Sequence, residues 1–230
     1  MNDHIIKPIR DSYDRLAAEY ARRLFDELKH KPLDRELLDR FAARVRGRGE
    51  VCDMGCGPGH VARYLKDAGT AVLGLDLSPG MVEQARALNP DISFREGNML
   101  ALDLPDASWA GIAAFYAIVN LHRACLPTAF REMARVLQPN GLLLLAFHVG
   151  DEVLQENELW GQQISMEFFF FQPTEIVALL EAAGLGIEEV IQREPYPEVE
   201  YQSRRAYIFA RKPADQTRKQ ERGNPATGRS

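Results

Sequence analysis

Glycine and carboxylate residues follow the ends of two predicted strands. An apolar run ends at Asp53, and the residues after it carry a glycine at every second position from Gly55 to Gly59. Such glycines allow a backbone to approach a bound ligand where side chains would collide. The next predicted strand ends at Asp76, whose carboxylate could accept hydrogen bonds from both hydroxyls of a ribose. The pattern predicts a ribose-containing ligand, and a glycine turn that only packs a helix on a strand is the alternative.

The spacing of the glycines separates two kinds of ligand. A dinucleotide fingerprint places its third glycine five residues after the first, at a position that His60 occupies here. The sequence from Asp53 to Gly59 instead reads Asp-x-Gly-x-Gly-x-Gly, which resembles the first motif of class I S-adenosylmethionine-dependent methyltransferases. The resemblance implies that Asp76 holds the adenosyl ribose. Asp76 could also cap the following helix, but Ser78 already suits that position.

Two later segments extend the resemblance to roughly residues 10–212. The segment 94–100 reads FREGNML, with Asn98 where the family usually has an Asp that contacts the adenine amino group. An amide oxygen can accept the same hydrogen bond. Met99 would add apolar contact to adenine, unless it belongs to the core. The segment 132–141, EMARVLQPNG, resembles the structural segment that precedes the family's fifth strand.

The resemblance implies a cofactor, S-adenosylmethionine, and a set of residues that bind it. These residues are Tyr20, Asp53, Gly55, Cys56, Gly57, Gly59, Asp76, Leu77, Met81, Gly97, Asn98 and Met99. The sulfonium already makes the methyl group electrophilic, so an acceptor that is a good nucleophile needs no dedicated base. The sequence therefore predicts a methyltransferase that acts on a small molecule by in-line displacement.

The candidates for catalysis follow the fourth and fifth predicted strands. His148 is the first candidate for a general base, because imidazole titrates near neutrality. A histidine that merely ends a strand is the alternative. His122 is the second candidate, and Tyr116 is a third polar group at the same edge.

Alternating apolar and helical segments predict the fold class. Helical patterns at 59–68, 79–88 and 127–137 lie between apolar runs at 50–54, 71–75, 92–95, 110–116 and 141–148. This alternation indicates an α/β fold with a mostly parallel sheet and helices on both faces. Two further strands, about 186–193 and 204–210, are too closely joined for a crossover and should pair antiparallel. We predict a Rossmann-like, doubly wound sheet of seven strands with an antiparallel C-terminal strand.

The two ends of the chain are predicted to differ in structure. Residues 1–46 are expected to form an N-terminal helical lid, in which Tyr13 and Tyr20 contact the cofactor or acceptor, or belong to a core stripe. Residues 213–230 are polar and lack hydrophobic periodicity, so we expect a disordered tail. The methyltransferase domain is therefore predicted to span residues 1–212.

A long link over 149–172 is predicted to be an insertion on the substrate side, since long structureless connections are usually functional. Trp160, Met166 and the run Phe168–Phe171 could line an apolar acceptor pocket. A strand that packs alternate phenylalanines into the core would explain the run equally well.

Composition and charge limit the class of partner. The chain has 230 residues, of which 46% are hydrophobic, and a formal net charge of -5. A protein that neutralises many phosphates usually carries a basic surface, so we expect no nucleic-acid partner. The three cysteines show no disulfide or metal spacing, and we predict no metal site. The sequence has no signal peptide and no apolar run long enough to span a membrane, so we expect a cytoplasmic protein. We expect it to be a monomer or a homodimer.

Three other functions stay open at this point. An NAD(P)-dependent oxidoreductase shares the glycine loop and the acidic residue on the second strand, but lacks the glycine at position 60 and the closing antiparallel pair. A non-catalytic module could have kept the fold. A methyltransferase acting on RNA or protein is the third alternative, and the basic residues of the tail are the feature that favours it.

Overall fold

Strands and helices alternate along residues 3–214, which are the residues that the computed structural model describes. Short 3₁₀ turns lie at Glu27–His30 and Arg123–Cys125. In chain order the elements are α1 (Asp3–Leu24), α2 (Pro32–Val45), β1 (Val51–Met54), α3 (His60–Asp67), β2 (Val72–Asp76), α4 (Pro79–Leu88), β3 (Ser93–Glu96), β4 (Trp109–Phe115), α5 (Leu126–Val136), β5 (Leu137–His148), β6 (Val153–Leu159), β7 (Gln162–Phe169), α6 (Pro173–Ala182), β8 (Gly186–Arg193) and β9 (Arg205–Arg211).

One seven-stranded sheet has the order β3-β2-β1-β4-β5-β9-β8. The strands from β1 to β5 pair in parallel, whereas β9 runs antiparallel to both β5 and β8. Every residue of β1 and β2 is buried, as expected for strands covered on both faces. The predicted Rossmann-like fold with its antiparallel strand is therefore confirmed. The strand order reverses between β1 and β4, and in such sheets ligands bind beyond the carboxyl ends of the strands at this point.

Helices cover the two faces of the sheet with separate cores. On one face, Phe41 of α2, Val61 of α3 and Val82 of α4 pack against inward-facing residues of the strands. On the other, Phe130 of α5 and Ile176 of α6 join the second core. The sheet is thus held rigidly between two layers, which fixes the positions of the loops at its carboxyl edge.

The segment 149–172 contains a hairpin instead of the predicted structureless link. Strands β6 and β7 pair antiparallel as a separate two-stranded sheet. Trp160 and Gly161 form the turn with φ angles of +52° and +78°. Two-residue hairpin turns of this kind need positive φ at both positions, because only then does the turn match the twist of the strands. Ile164, Met166 and Phe168 alternate with polar residues along β7, which is the period-two pattern of a strand with one covered face.

The first helix lies across the sheet edge, in contact with α4 and the hairpin. Leu16 packs against Ile164 and Met166 of β7. The carboxylate of Asp14 accepts hydrogen bonds from Ser78 Oγ at 2.5 Å and from the backbone N–H of Gly80 at 2.9 Å. These contacts hold α1 over the carboxyl edge of the sheet.

Of the predicted disordered tail, residues 215–230 lie outside the described residues.

Candidate functional site

The glycine loop between β1 and α3 brings its backbone to the edge of a cavity. Gly55, Gly57 and Gly59 all have positive φ, between +51° and +82°. A Cβ atom on Gly55 would lie 2.7 Å from that of Ala117, so this glycine is needed for close packing. A Cβ on Gly57 would meet only the ring of Tyr20, at 3.7 Å, and would otherwise enter open space. The Gly57 backbone is therefore the part of the loop that a ligand can approach.

Asp53 supports the loop from behind. Its carboxylate is buried and accepts a hydrogen bond from the backbone N–H of Ala62, at 2.8 Å, in the first turn of α3. Burial raises the pKa of Asp53 to about 7. The side chain does not line the cavity, and neither does Gly59. Asp53 thus fixes the direction in which the chain leaves β1.

Asp76 lies at the tip of β2 and closes the loop from the side. One carboxylate oxygen accepts from the Gly57 N–H at 2.8 Å, and the other accepts from the Ser78 N–H at 2.9 Å. Burial raises the pKa of Asp76. The cap of α4 is Ser78, whose hydroxyl accepts from the Met81 N–H at 3.0 Å. Asp76 is therefore not the capping residue.

A cavity of about 920 Å³ opens between the glycine loop, the tips of β2 and β4, and α1. The predicted cofactor-binding residues that line it are Tyr20, Gly55, Cys56, Gly57, Asp76, Leu77, Met81, Gly97, Asn98 and Met99. The structure therefore brings nearly the whole predicted set around one space, although their contacts with a ligand stay a prediction.

Two hydrogen-bonded polar residues of the cavity wall, His60 and Glu27, were not predicted. His60 Nε2 lies 3.1 Å from Glu27 Oε1, and the other oxygen of Glu27 accepts from Lys31 Nζ at 2.7 Å. Burial alone would raise the pKa of Glu27, but the hydrogen bonds and charges of His60 and Lys31 lower it to about 2. The carboxylate is therefore ionised. His60 follows the glycine motif directly, but Glu27 is distant in sequence and no motif marks it.

The second ring nitrogen of His60, Nδ1, is buried without a hydrogen-bond partner among the described residues. Buried polar atoms are normally paired, so an orphaned one in a cavity wall indicates a place for a polar ligand group. Beside it stands the ionised carboxylate of Glu27. This end of the cavity could therefore hold an ammonium group, such as that of the amino-acid part of S-adenosylmethionine.

The two lid tyrosines differ in their contacts. Tyr13 donates a hydrogen bond to Asn120 Oδ1 at 2.6 Å, and Asn120 Nδ2 donates to the Glu167 carbonyl at 2.8 Å. The ring of Tyr20 faces the cavity and meets Trp160 edge-on at 5.8 Å. Both tyrosines thus tie α1 to the loop after β4 and to the hairpin. They belong to the cavity wall rather than to the main core.

His148 lies outside the cavity lining. Its Nδ1 is 2.7 Å from Ser203 Oγ, and its ring is 5.0 Å from that of Tyr116. Burial lowers the pKa of His148 to about 3, with a further contribution from the charge of Arg205. The ring is therefore neutral at physiological pH. These contacts are those of a residue that packs at the end of a strand, which was the alternative interpretation of His148 from the sequence.

Tyr116 and His122 occupy two different cavities. Tyr116 lines the first, has a φ of +55°, and has its hydroxyl 3.5 Å from that of Tyr207. Burial raises the pKa of Tyr116. His122 accepts a hydrogen bond on Nδ1 from the Ala124 N–H at 3.2 Å. In the neutral ring the proton must then sit on Nε2, which makes that nitrogen a donor and not a base.

A second cavity of about 880 Å³ adjoins the first on the side of the hairpin. Ile9 and Asn120 line both spaces. The residues that line only the second include His122, Gln155, Asn157, Met166, Glu167 and Phe169. Of the residues predicted for an acceptor pocket, Met166 and Phe169 therefore face this space. Phe171 is buried in the core, where its ring stacks on that of Phe169 at 6.4 Å.

Metal-ligand clusters and membrane-spanning helices are both missing from the described residues. Between residues 3 and 214, no group of three or more His, Cys, Asp or Glu side chains could hold a metal ion. Within that range, no helix combines the length and apolarity needed to cross a membrane. All three cysteines are free and buried.

Comparison with known proteins agrees with this geometry. Residues 51–141 match the family described as a methyltransferase domain. Malonyl-[acyl-carrier protein] O-methyltransferase of Enterobacter lignolyticus is 29% identical over 151 residues, which cover 63% of this chain and 58% of that protein. A protein of Mycolicibacterium smegmatis named probable S-adenosylmethionine-dependent methyltransferase is 31% identical over 158 residues, covering 66% of this chain and 57% of that protein. The chain thus spans less than two thirds of the length of these relatives.

Solved structures share the fold over more of the chain. The structure of DhpI in complex with SAH aligns with a TM-score of 0.71 at 19% identity, covering 92% of this chain and 98% of that one. An S-adenosylmethionine-dependent methyltransferase from Mesorhizobium loti aligns with a TM-score of 0.61 at 21% identity, covering 77% and 96%. Sheet order, glycine loop and acidic strand tip are those of the methyltransferase fold seen in these structures. The family match and the curated relatives support a class I S-adenosylmethionine-dependent methyltransferase.

Proposed function

We propose that this protein transfers the methyl group of S-adenosylmethionine to a small-molecule acceptor. The observation that carries the proposal is the cavity in which the open backbone of Gly57 faces the buried carboxylate of Asp76. The residues present fit the cofactor at both ends. Asp76 suits the ribose hydroxyls, and the ionised Glu27 beside the unpaired Nδ1 of His60 suits the charged amino-acid end.

When bound, the cofactor supplies an electrophilic methyl carbon, whose bond to sulfur breaks as the acceptor atom forms its own bond to that carbon. The protein's part is to hold both partners in line and to exclude water. Tyr20, Tyr116 and Asn120 line the middle of the cavity and would form the walls of the reaction space. Neither His148 nor His122 lines this space, so the acceptor would have to lose any proton on its nucleophilic atom to bulk solvent before it binds.

Two features favour a small acceptor. The first cavity is covered by Ile6, Ile9, Tyr13 and Tyr20 of α1, which leaves an enclosed space for a small molecule. The net charge of -5 also disfavours a polyanionic partner. We do not extend the malonyl-carrier substrate of the named relatives to this chain, because the substrate-side hairpin carries only acidic charges.

A direct titration separates the proposal from its main alternatives. Calorimetry with S-adenosylhomocysteine and with NAD should give binding of the former alone. Methyl transfer from labelled cofactor should then be measured with pools of small amines, alcohols and acids, and in parallel with bulk RNA and denatured protein. Binding of NAD alone would support an oxidoreductase, and labelling confined to RNA or protein would overturn the small-molecule acceptor.

A further inference from the structure

The hairpin segment holds the whole net charge of the protein. Residues 149–172 contain five of the 33 acidic residues, Asp151, Glu152, Glu156, Glu158 and Glu167, and none of the 28 Lys and Arg residues. The formal charge of the chain is -5, so the other residues together are neutral. A cleft bordered by charges of one sign concentrates ligands of the opposite sign. The second cavity is bordered by this segment.

The described residues that line the second cavity also include a negative charge and no Lys or Arg. Glu167 supplies a carboxylate, with Gln155 Nε2 donating to one of its oxygens at 3.2 Å and leaving the other oxygen for a further partner. Gln155 and Asn157 add neutral amides, and Met166 and Phe169 add apolar surface. Among the described residues, no Lys or Arg lines this space. The lining therefore suits a cation with an apolar body and does not suit an anion.

Basic residues of neighbouring elements approach the hairpin elsewhere. Arg15 of α1 donates to the Gln163 carbonyl at 3.2 Å, and Arg23 lies 5.2 Å above the Trp160 ring. Both contacts are near the turn of the hairpin. Arg123 donates to the Phe170 carbonyl and pairs with Glu175 at 3.2 Å. These groups border the hairpin without entering the lining of the second cavity.

Ile9 and Asn120 line both cavities, so the two spaces lie on either side of these side chains. A ligand in the second cavity would therefore have one end next to the wall of the proposed methyl-transfer space. We propose that the methyl acceptor carries an ammonium group that binds in the second cavity at Glu167, while its nucleophilic atom enters the first cavity past Asn120. This inference rests on the proposed function and adds the class of acceptor.

Three probes of equal ring size and different charge test the inference. Phenethylamine is a cation at pH 7.5, 2-phenylethanol is neutral and phenylacetate is an anion. Each is titrated into the full-length protein saturated with S-adenosylhomocysteine. We expect phenethylamine to bind most tightly and phenylacetate most weakly, and we expect added NaCl to weaken the binding of phenethylamine only.

Two variants and a matched control assign the effect to the cavity. Glu167→Gln should weaken the binding of phenethylamine about two- to fivefold, as expected when an ion pair that stays partly in water is lost. Asn157→Lys should reverse the preference toward phenylacetate. Glu181→Gln removes the same charge from the exposed surface of α6 and should change nothing. Thermal unfolding of all variants checks that they remain folded.

The outcomes separate the two proposals. If S-adenosylhomocysteine itself does not bind, the proposed function fails. If it binds but phenylacetate is preferred, if no probe binds, or if Glu181→Gln weakens phenethylamine as much as Glu167→Gln does, the ammonium site alone is wrong. Loss of the preference for phenethylamine in Asn157→Lys, with folding intact, would support the site.

Discussion

The proposed cofactor side and the proposed acceptor side of this site are built by different means. On the cofactor side, backbone atoms and two buried carboxylates meet at the ends of adjacent parallel strands, so the residue types are dictated by backbone conformation and burial. On the acceptor side, an exposed hairpin and one face of α1 enclose a space between elements that are far apart in sequence. The first construction tolerates few residues at each position, whereas the second can change its lining without changing the fold.

A pair of glycine substitutions gives the largest difference between the two sides. Gly57→Val places a branched side chain at a positive φ and inside the first cavity, so the affinity for S-adenosylhomocysteine should fall more than about 1,000-fold. Gly161→Val imposes a similar φ in the hairpin turn, where an added Cβ meets nothing within 4 Å. Calorimetry should show near-normal binding for Gly161→Val. Equal losses in both variants would mean that backbone strain, and not occupation of the cavity, is responsible.

Asp53 provides a test by pH. The folded-state pKa of Asp53, about 7, lies well above the ordinary pKa of an aspartate, so between these two values the folded protein keeps a proton that the unfolded chain releases. The free energy of unfolding should therefore decline as pH rises through this range. Asp53→Asn mimics the protonated form and should not show this decline. Between pH 4 and pH 7.5 its free energy of unfolding should therefore rise by roughly 2–4 kcal/mol relative to that of the wild type. Urea unfolding of both proteins at several pH values measures this difference. The same dependence of unfolding free energy on pH in both proteins would contradict the prediction.

Asp76 should matter for the ligand more than for the fold. Asp76→Ala removes charge-assisted hydrogen bonds to a ribose and should weaken S-adenosylhomocysteine by roughly 1.5–3 kcal/mol. Asp103→Ala, at an exposed position outside the cavity, is the control and should bind normally. Unchanged affinity of the Asp76 variant in a calorimeter would remove the proposed ribose site.

Trp160 should give the smallest effect. Its ring contacts Tyr20 and Arg23, so Trp160→Ala should reduce the free energy of unfolding by roughly 0.5–1.5 kcal/mol. Because the ring does not line the first cavity, we expect the affinity for S-adenosylhomocysteine to stay within about twofold of the wild type. A loss as large as that of Asp76→Ala would show that the hairpin is part of the cofactor site, and the contrast between the two sides would fail.

Much of the cofactor side could be predicted because its signals are local. The glycines, Asp53 and Asp76 lie at strand ends, and the strand–helix alternation fixes which ends are adjacent. The sheet, its antiparallel strand and the capping role of Ser78 follow from the same local patterns. The helical character of the N-terminal region was also predicted, and α1 begins at Asp3.

The remaining features depend on contacts between distant segments. Glu27 meets His60 across 33 residues, and Tyr13 meets Asn120 across 107, with no motif that marks either pair. His148 ends a strand as predicted, but only packing shows that it stands behind Tyr116 and outside the cavity. The hairpin replaces a predicted link because its turn and the contact of Ile164 and Met166 with Leu16 of α1 stabilise the paired strands. Local sequence thus determined the sheet and the glycine loop, while tertiary packing alone decided which side chains enclose the two cavities.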